Sequence, residues 1–298
     1  MSVALPTRRD EAWRYSDLEA VASVWPVAAA DVIDVPAGTQ VSRVIVQDAA
    51  TDAVAIRDYR VILREGATAT FHVLNTGGQL GRVTIDVTCH EGSHFELGAA
   101  MLGGGAQTLE IVTTLNHIEP NSTSNQVVRS VLGGRATGSY LGKVAVARHA
   151  QKTDASQSVK AMLLTRTATA NAKPELEIYA DDVKCAHGAT VGELDANALF
   201  YLASRGIAPA EAKALLLRAF IGSVFEGIAD DAERARVEAA AQGALERMLD
   251  SSLSQRERDK RARPPRRFPG DPGRLGVSRH RRHGAEAASR DRCDHARV

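Results

Sequence analysis

The amino-acid sequence predicts a mainly β body followed by a small α-helical domain. Three observations carry that expectation: apolar residues recur at every second position from about Val41 to Ile178, glycines punctuate these runs, and after Gly192 the apolar spacing lengthens to that of a helix. The chain has 298 residues, 44% of them hydrophobic, enough for a substantial core, but only 4% are aromatic. Its core must therefore be aliphatic.

The first segment, Asp10 to Val24, carries Trp13, Leu18, Val21 and Val24 among charged residues and predicts a short amphipathic arm, ended by Pro26. From about Val41 the period is two: Val44 and Val46, Val61 and Leu63, Phe71 and Val73, Val83 to Val87, Leu109 to Leu115, Val127 to Leu132, Tyr140 to Val146, Val159 to Leu163, Leu176 to Ile178. Polar residues such as Thr84, Asp86, Thr108 and Glu110 alternate with them, as in strands with one face on a core. Roughly ten short strands are expected. Gly66, Gly77-Gly78, Gly92, Gly103-Gly104-Gly105, Gly133-Gly134 and Asn171 suit tight turns with positive φ. This succession fits a sandwich, a barrel or a solenoid; small and β-branched residues that can fill layers about 4.8 Å apart tilt the choice towards a solenoid.

Asp195 is a candidate N-cap for a helix over Ala196 to Ser204, Gly206 suits its C-terminal cap, and Pro209 suits the start of the next. There Ala212, Leu216, Phe220 and Val224, with Leu215 and Ala219, form an apolar stripe. A third helix is expected from near Asp231 through Leu249. The domain plan is an arm over 1–40, a β body over 41–192, a helical domain over 193–253 and a tail over 254–298. That tail carries 14 Lys/Arg and 6 Asp/Glu, a net of +8, so the overall charge of +1 hides a remainder of −7. Rich in Arg, Pro, Gly and His and without apolar period, it is not expected to fold by itself, and its composition is that of an out-of-frame translation of GC-rich DNA.

No apolar run reaches the roughly 20 residues of a membrane span and no secretory signal opens the chain, so a cytoplasmic protein without membrane contact is expected. Cys89, Cys185 and Cys293 lie far apart, which indicates neither a disulfide framework nor a zinc module. There is no GxxxxGK[ST], HExxH or GxSxG. His90 and His94 read as turn residues. Cys185 and His187 are two apart, so in an extended strand both point to one face and suit a soft metal or iron–sulfur species. Two ligands do not complete a site, and a structural pair is the simpler reading of the residues alone.

Several stretches are similar to the SufB/SufD family. They are Pro6–Tyr15 (PTRRDEAWRY), Asn116–Ser122 (NHIEPNS), Gly138–Gly142, Gln151–Ala155 (QKTDA), Asn171–Pro174 (NAKP), Leu176–Gly192 (LEIYADDVKCAHGATVG) and Phe200–Ile207 (FYLASRGI). The likeness runs from about Pro6 to Leu249, resembles the SufD branch in its opening, and excludes the tail. It implies a right-handed parallel β-helix with a C-terminal helical domain, and a non-enzymatic scaffold of the SUF iron–sulfur assembly system. It further implies pairing with SufB through the β-helix end and docking of the SufC ATPase on the helical domain, where Phe200, Tyr201, Arg205, Arg218 and Phe225 are the expected contacts. His187, with Cys185 beside it, is implied to lie at the SufB interface, where a transient cluster or iron would be shared; no permanent cofactor is expected. Compared with many family members the chain is shorter before the β body, so an N-terminal domain would be reduced to the arm. Three alternatives remain: a SufB-like scaffold, disfavoured by the few cysteines; a metal-dependent β-helix enzyme using Asp181, Asp182 and His187; and a nucleic-acid binder working through the tail.

Overall fold

A computed structural model describes residues 4–50 and 52–262, with side chains as far as residue 250. Residues 1–258 form one compact unit; of a second, 259–298, only 259–262 are described, as the last residues of a helix. Twelve strands appear in chain order: β1 (Asp31–Val35), β2 (Gln40–Gln47), β3 (Val54–Leu63), β4 (Thr68–Asn75), β5 (Leu80–Cys89), β6 (His94–Gly103), β7 (Thr108–His117), β8 (Thr123–Leu132), β9 (Thr137–Val146), β10 (Asp154–Leu163), β11 (Thr169–Ile178) and β12 (Lys184–Gly192). Odd-numbered strands stack in one parallel sheet, β1-β3-β5-β7-β9-β11, and even-numbered strands in another, β12-β10-β8-β6-β4-β2. Consecutive strands thus lie in different sheets and every pairing is with the strand two further on. The result is a parallel β-solenoid of six rungs, which decides between the three β architectures the sequence left open.

The alternation of apolar and polar residues becomes a set of ladders along the solenoid axis. Ile33, Val61, Val87, Leu115, Val144 and Leu176 occupy one register position in successive rungs, and Ile45, Val73, Ala99, Val128, Val159 and Ala189 another. Most are fully buried, so each layer excludes water from the next without large rings. Positive φ at Gly66, Gly92, Gly105 and Gly134, each at a corner between strands, lets the chain turn from one sheet to the other.

Helices cover the outer faces. A 3-10 turn (Glu11–Trp13) and α1 (Leu18–Ala22), capped by the Asp17 carboxylate accepting from the Ala20 N–H, lie on the odd sheet, with Trp13, Val21 and Trp25 packed on Leu80 and Ile56. On the even sheet α3 (Pro209–Gly222) and α4 (Asp231–Ala262) bury Leu217, Ile221, Val237, Ala241 and Leu245 against Leu74, Ala100, Leu102 and Val131. Ahead of α3 in the chain, α2 (Ala196–Ser204), capped by Asp195, meets α3 and buries none of its own side chains.

Several expectations need correction. The solenoid begins at Asp31, ahead of residue 41, because β1 pairs with β3. Asn171 is not a turn residue: it lies within β11 and donates to the Ser139 hydroxyl in the adjacent strand. The buried face of α3 is Ala212, Leu217 and Ile221, with Leu215 and Ala219 outward, since the helix turns the residues nearest the sheet inward, whatever stripe its sequence offers. The backbone of α4 continues past residue 253 to Ala262. The rest of the expected tail, 263–298, with Cys293, lies outside the described residues.

Candidate functional site

The solenoid ends on β11 and β12, each the last strand of its sheet. In an inner rung a side chain directed into the solenoid is closed off by the next layer; in the last rung it is not. That is why Cys185 and His187, on inward positions of β12, remain accessible while their register partners in β10, Ala155 and Gln157, are buried. The Cys185 ladder runs Val41, Ala69, Phe95, Ser124, Ala155, Cys185, and the His187 ladder runs Arg43, Phe71, Leu97, Gln126, Gln157, His187. Cys185 is half-buried against the core, and His187 is exposed. Burial pushes the Cys185 thiol above its ordinary range, Asp154 adds to the rise, and a hydrogen bond with the Ala155 backbone opposes it. In the chain alone Cys185 therefore favours the neutral thiol, and a cation is needed to draw out the thiolate.

A depression of about 280 Å³ opens along this edge, lined by Gln157, Val159, Ala186, His187, Gly188 and Thr190 among others. The same terminal rung exposes Ile178, Tyr179 and Val191. An unpaired strand edge flanked by exposed apolar side chains is a surface that proteins normally cover.

The other candidates separate. Asp181 and Asp182 precede β12 at the surface, and Asp182 pairs with Lys152. His90 sits at a turn with Nδ1 3.2 Å from Glu119, while His94 opens β6 with Nδ1 2.7 Å from the Thr123 hydroxyl. Among the described residues no group of three or more His, Cys, Asp or Glu is placed to hold a metal. On the helical domain Phe200 and Tyr201 are 76% and 57% exposed, and Arg205 lies over the Tyr201 ring at 5.2 Å. Arg218 is also exposed. Phe225 is not: it is 1% exposed, packed with Ile221 and Leu245 beneath the helices, so it serves the core and cannot be a docking contact.

The SUF system FeS cluster assembly, SufBD core domain family matches residues 22–220, which include the solenoid from its first strand to its last, α2 and most of α3. The chain belongs to the SufBD core domain family. It is 33% identical to the iron–sulfur cluster assembly protein SufD of Escherichia coli over 59% of its own length and 42% of that protein's. It is 36% identical to an iron–sulfur cluster assembly SufBD family protein of Synechocystis, over 52% of this chain and 34% of the relative. A SufBD family protein of Mycobacterium leprae is 30% identical over 71% of this chain and 56% of its own length. The chain therefore spans between about a third and somewhat over half of these relatives. Its SufBD core accounts for the parallel solenoid and for membership of the SUF iron–sulfur assembly proteins.

Two features of the SufBD solenoid escaped the sequence reading. Gln157 stands in the core alternation Ala155, Gln157, Val159, and a lone amide among inward apolar positions was the available signal. Arg82 and Glu110 are polar residues on the outward side of their strands, where alternation predicts solvent. Burying them required the arm to fold over the sheet, which no local pattern announces.

Proposed function

We propose that the chain is a SufD-type, non-enzymatic scaffold subunit of the SUF system, that it pairs with SufB through the β11–β12 end of the solenoid, and that its helical domain docks the SufC ATPase. His187, assisted by Cys185, contributes to an assembly point for iron or a nascent cluster whose remaining ligands SufB supplies; the cluster is cargo and not a resident cofactor. The observation that carries this reading is an exposed imidazole and a half-buried thiol, two residues apart, on the terminal strand with its unpaired outer edge, beside exposed Ile178, Tyr179 and Val191. Imidazole nitrogen and thiolate are both suitable iron ligands, and an incomplete ligand set at an open edge is what a shared site requires of one partner. Exposed Phe200, Tyr201, Arg205 and Arg218 support the helical domain as the second docking surface.

The test is anaerobic co-expression with SufB and SufC. Replacing His187 by Ala should leave the three proteins co-purifying while iron and sulfide on the complex fall several-fold. Loading equal to wild type would remove His187 from cluster assembly.

A further inference from the structure

Behind His187 the solenoid interior changes character. In the fourth and fifth of the six rungs a polar column runs among the aliphatic side chains between the sheets. Tyr140, 1% exposed, places its hydroxyl 3.2 Å from Thr113 Oγ1 and donates to Gln126 Oε1 at 3.1 Å. Gln157, 3% exposed, donates from Nε2 to the same hydroxyl at 3.4 Å. Gly142 makes the arrangement possible, because a Cβ there would lie 2.1 Å from the Tyr140 hydroxyl oxygen.

A phenol has one proton, and the Tyr140 proton goes to Gln126, so towards Gln157 the hydroxyl acts as acceptor. This orients the Gln157 amide: its nitrogen turns inward to Tyr140 and its oxygen is left over. Among the described residues Gln157 Oε1 is buried without a hydrogen-bond partner, a state that native interiors rarely leave unresolved. The next side chain on that ladder is His187, in register one strand away, and both line the depression at the solenoid end.

We propose that Gln157 is the positioning residue of His187: its Oε1 accepts one ring N–H of the imidazole, which fixes the tautomer and points the lone pair of the other nitrogen out of the solenoid end. This rests on the reading of His187 as an iron or cluster ligand, and supplies what a ligating histidine normally has, an acceptor for its second nitrogen. The Tyr140–Gln126–Thr113 column acts behind it by holding the amide one way round.

The test uses the full chain with Gln157→Leu, which keeps the bulk and removes the acceptor, and Gln157→Glu, which keeps an acceptor oxygen at the same reach and loses the donor to Tyr140. Nitrogen-15 histidine spectra of the chain alone read the His187 tautomer: one form should dominate in the wild type and the Glu variant, and both should be populated in the Leu variant. Titrating Fe(II) into the anaerobically co-expressed complex with SufB and SufC, the concentration for half-loading should rise roughly 10- to 100-fold for Gln157→Leu and recover in Gln157→Glu. A wild-type tautomer ratio and half-loading point in Gln157→Leu overturn the proposal, as does equal loss in both variants, which would make Gln157 a packing residue. If His187→Ala loads normally the cluster-ligand reading fails, whereas the tautomer spectra still decide whether Gln157 orients the ring.

Discussion

Replacing Glu110 by Ala should destabilise the folded chain by about 3–5 kcal/mol, the usual cost of leaving one member of a buried ion pair without its partner. The geometry supports the upper part of that range. Arg82 Nη1 lies 2.5 Å from Glu110 Oε2, the two side chains are 2% and 1% exposed, Ser16 Oγ donates to the same carboxylate oxygen at 2.8 Å, and the Trp13 ring closes over the guanidinium at 3.9 Å. Arg82 and Glu110 are register neighbours on β5 and β7, so truncating Glu110 leaves a buried cation that, among the described residues, is met by the Ser16 hydroxyl and the Trp13 ring. Because both tryptophans of the chain, Trp13 and Trp25, sit in the arm, fluorescence reports its docking while far-ultraviolet circular dichroism reports the solenoid. In urea titrations, Glu110→Ala should lose arm fluorescence at lower denaturant than solenoid ellipticity, and the melting temperature should drop on the order of 10 °C. The double change Arg82→Met with Glu110→Leu removes both charges and should return within about 1 kcal/mol of wild type, since apolar replacement of a buried pair is commonly neutral. A double variant as unstable as Glu110→Ala would show that the pair is not a closed electrostatic unit and refute the reasoning.

Two further predictions concern the solenoid itself. Burial lowers the His117 pKa to about 4, with both ring nitrogens within 3.0 Å of Ser122 and Ser124 hydroxyls, so the native state holds the neutral ring. Its contribution is complete above the unfolded value near 6.5 and is lost as pH falls towards 4, by about 3 kcal/mol in all; His117→Leu should therefore lose less stability than wild type between pH 7 and 4.5, and parallel urea midpoints would contradict this. Gly98→Ala should loosen the helical domain, because a Cβ there would meet the Val224 carbonyl oxygen at 2.1 Å, beside the 2.8 Å contact of that oxygen with His72 Nδ1. Faster proteolysis after α3 with unchanged solenoid ellipticity is the expected readout, and wild-type cleavage rates would dismiss it.

What could be read in the sequence follows from where the physics is local. Strands with one covered face, such as β10, announce themselves by alternation, and Asp195, Gly206 and Pro209 mark helix ends by capping chemistry that needs only neighbours. β6 is hard to read because its alternation lasts only from His94 to Leu97, and from Gly98 onward the residues of both faces are buried. The rung-to-rung pairing was not legible either: Val54, Leu80, Thr108, Thr137 and Thr169 stack in register, yet their spacing along the chain varies, and without a fixed period no repeat motif forms. That Cys185 and His187 share one side of a strand is legible in their spacing, whereas the burial of Phe225 depends on a tertiary contact that spacing does not encode.

If the terminal rung carries the proposed site, solenoid geometry explains why one chain would supply only half of it. Each interior position is closed by the next rung, so a ligand can reach inward-pointing groups only where the stack stops. Along the His187 ladder the interior is apolar at Phe71 and Leu97, then becomes polar at Gln126 and Gln157 as the end approaches. Leaving even one buried amide group unpaired costs about 1–3 kcal/mol, and both of these glutamines keep an unpartnered atom, where leucine in either position would avoid that cost. A chain selected for stability alone would continue the aliphatic ladders to the last rung. On the proposed function, the polarity behind His187 serves a terminal rung that orients a ligand and accepts a partner, and the destabilisation falls where binding that partner would offset it.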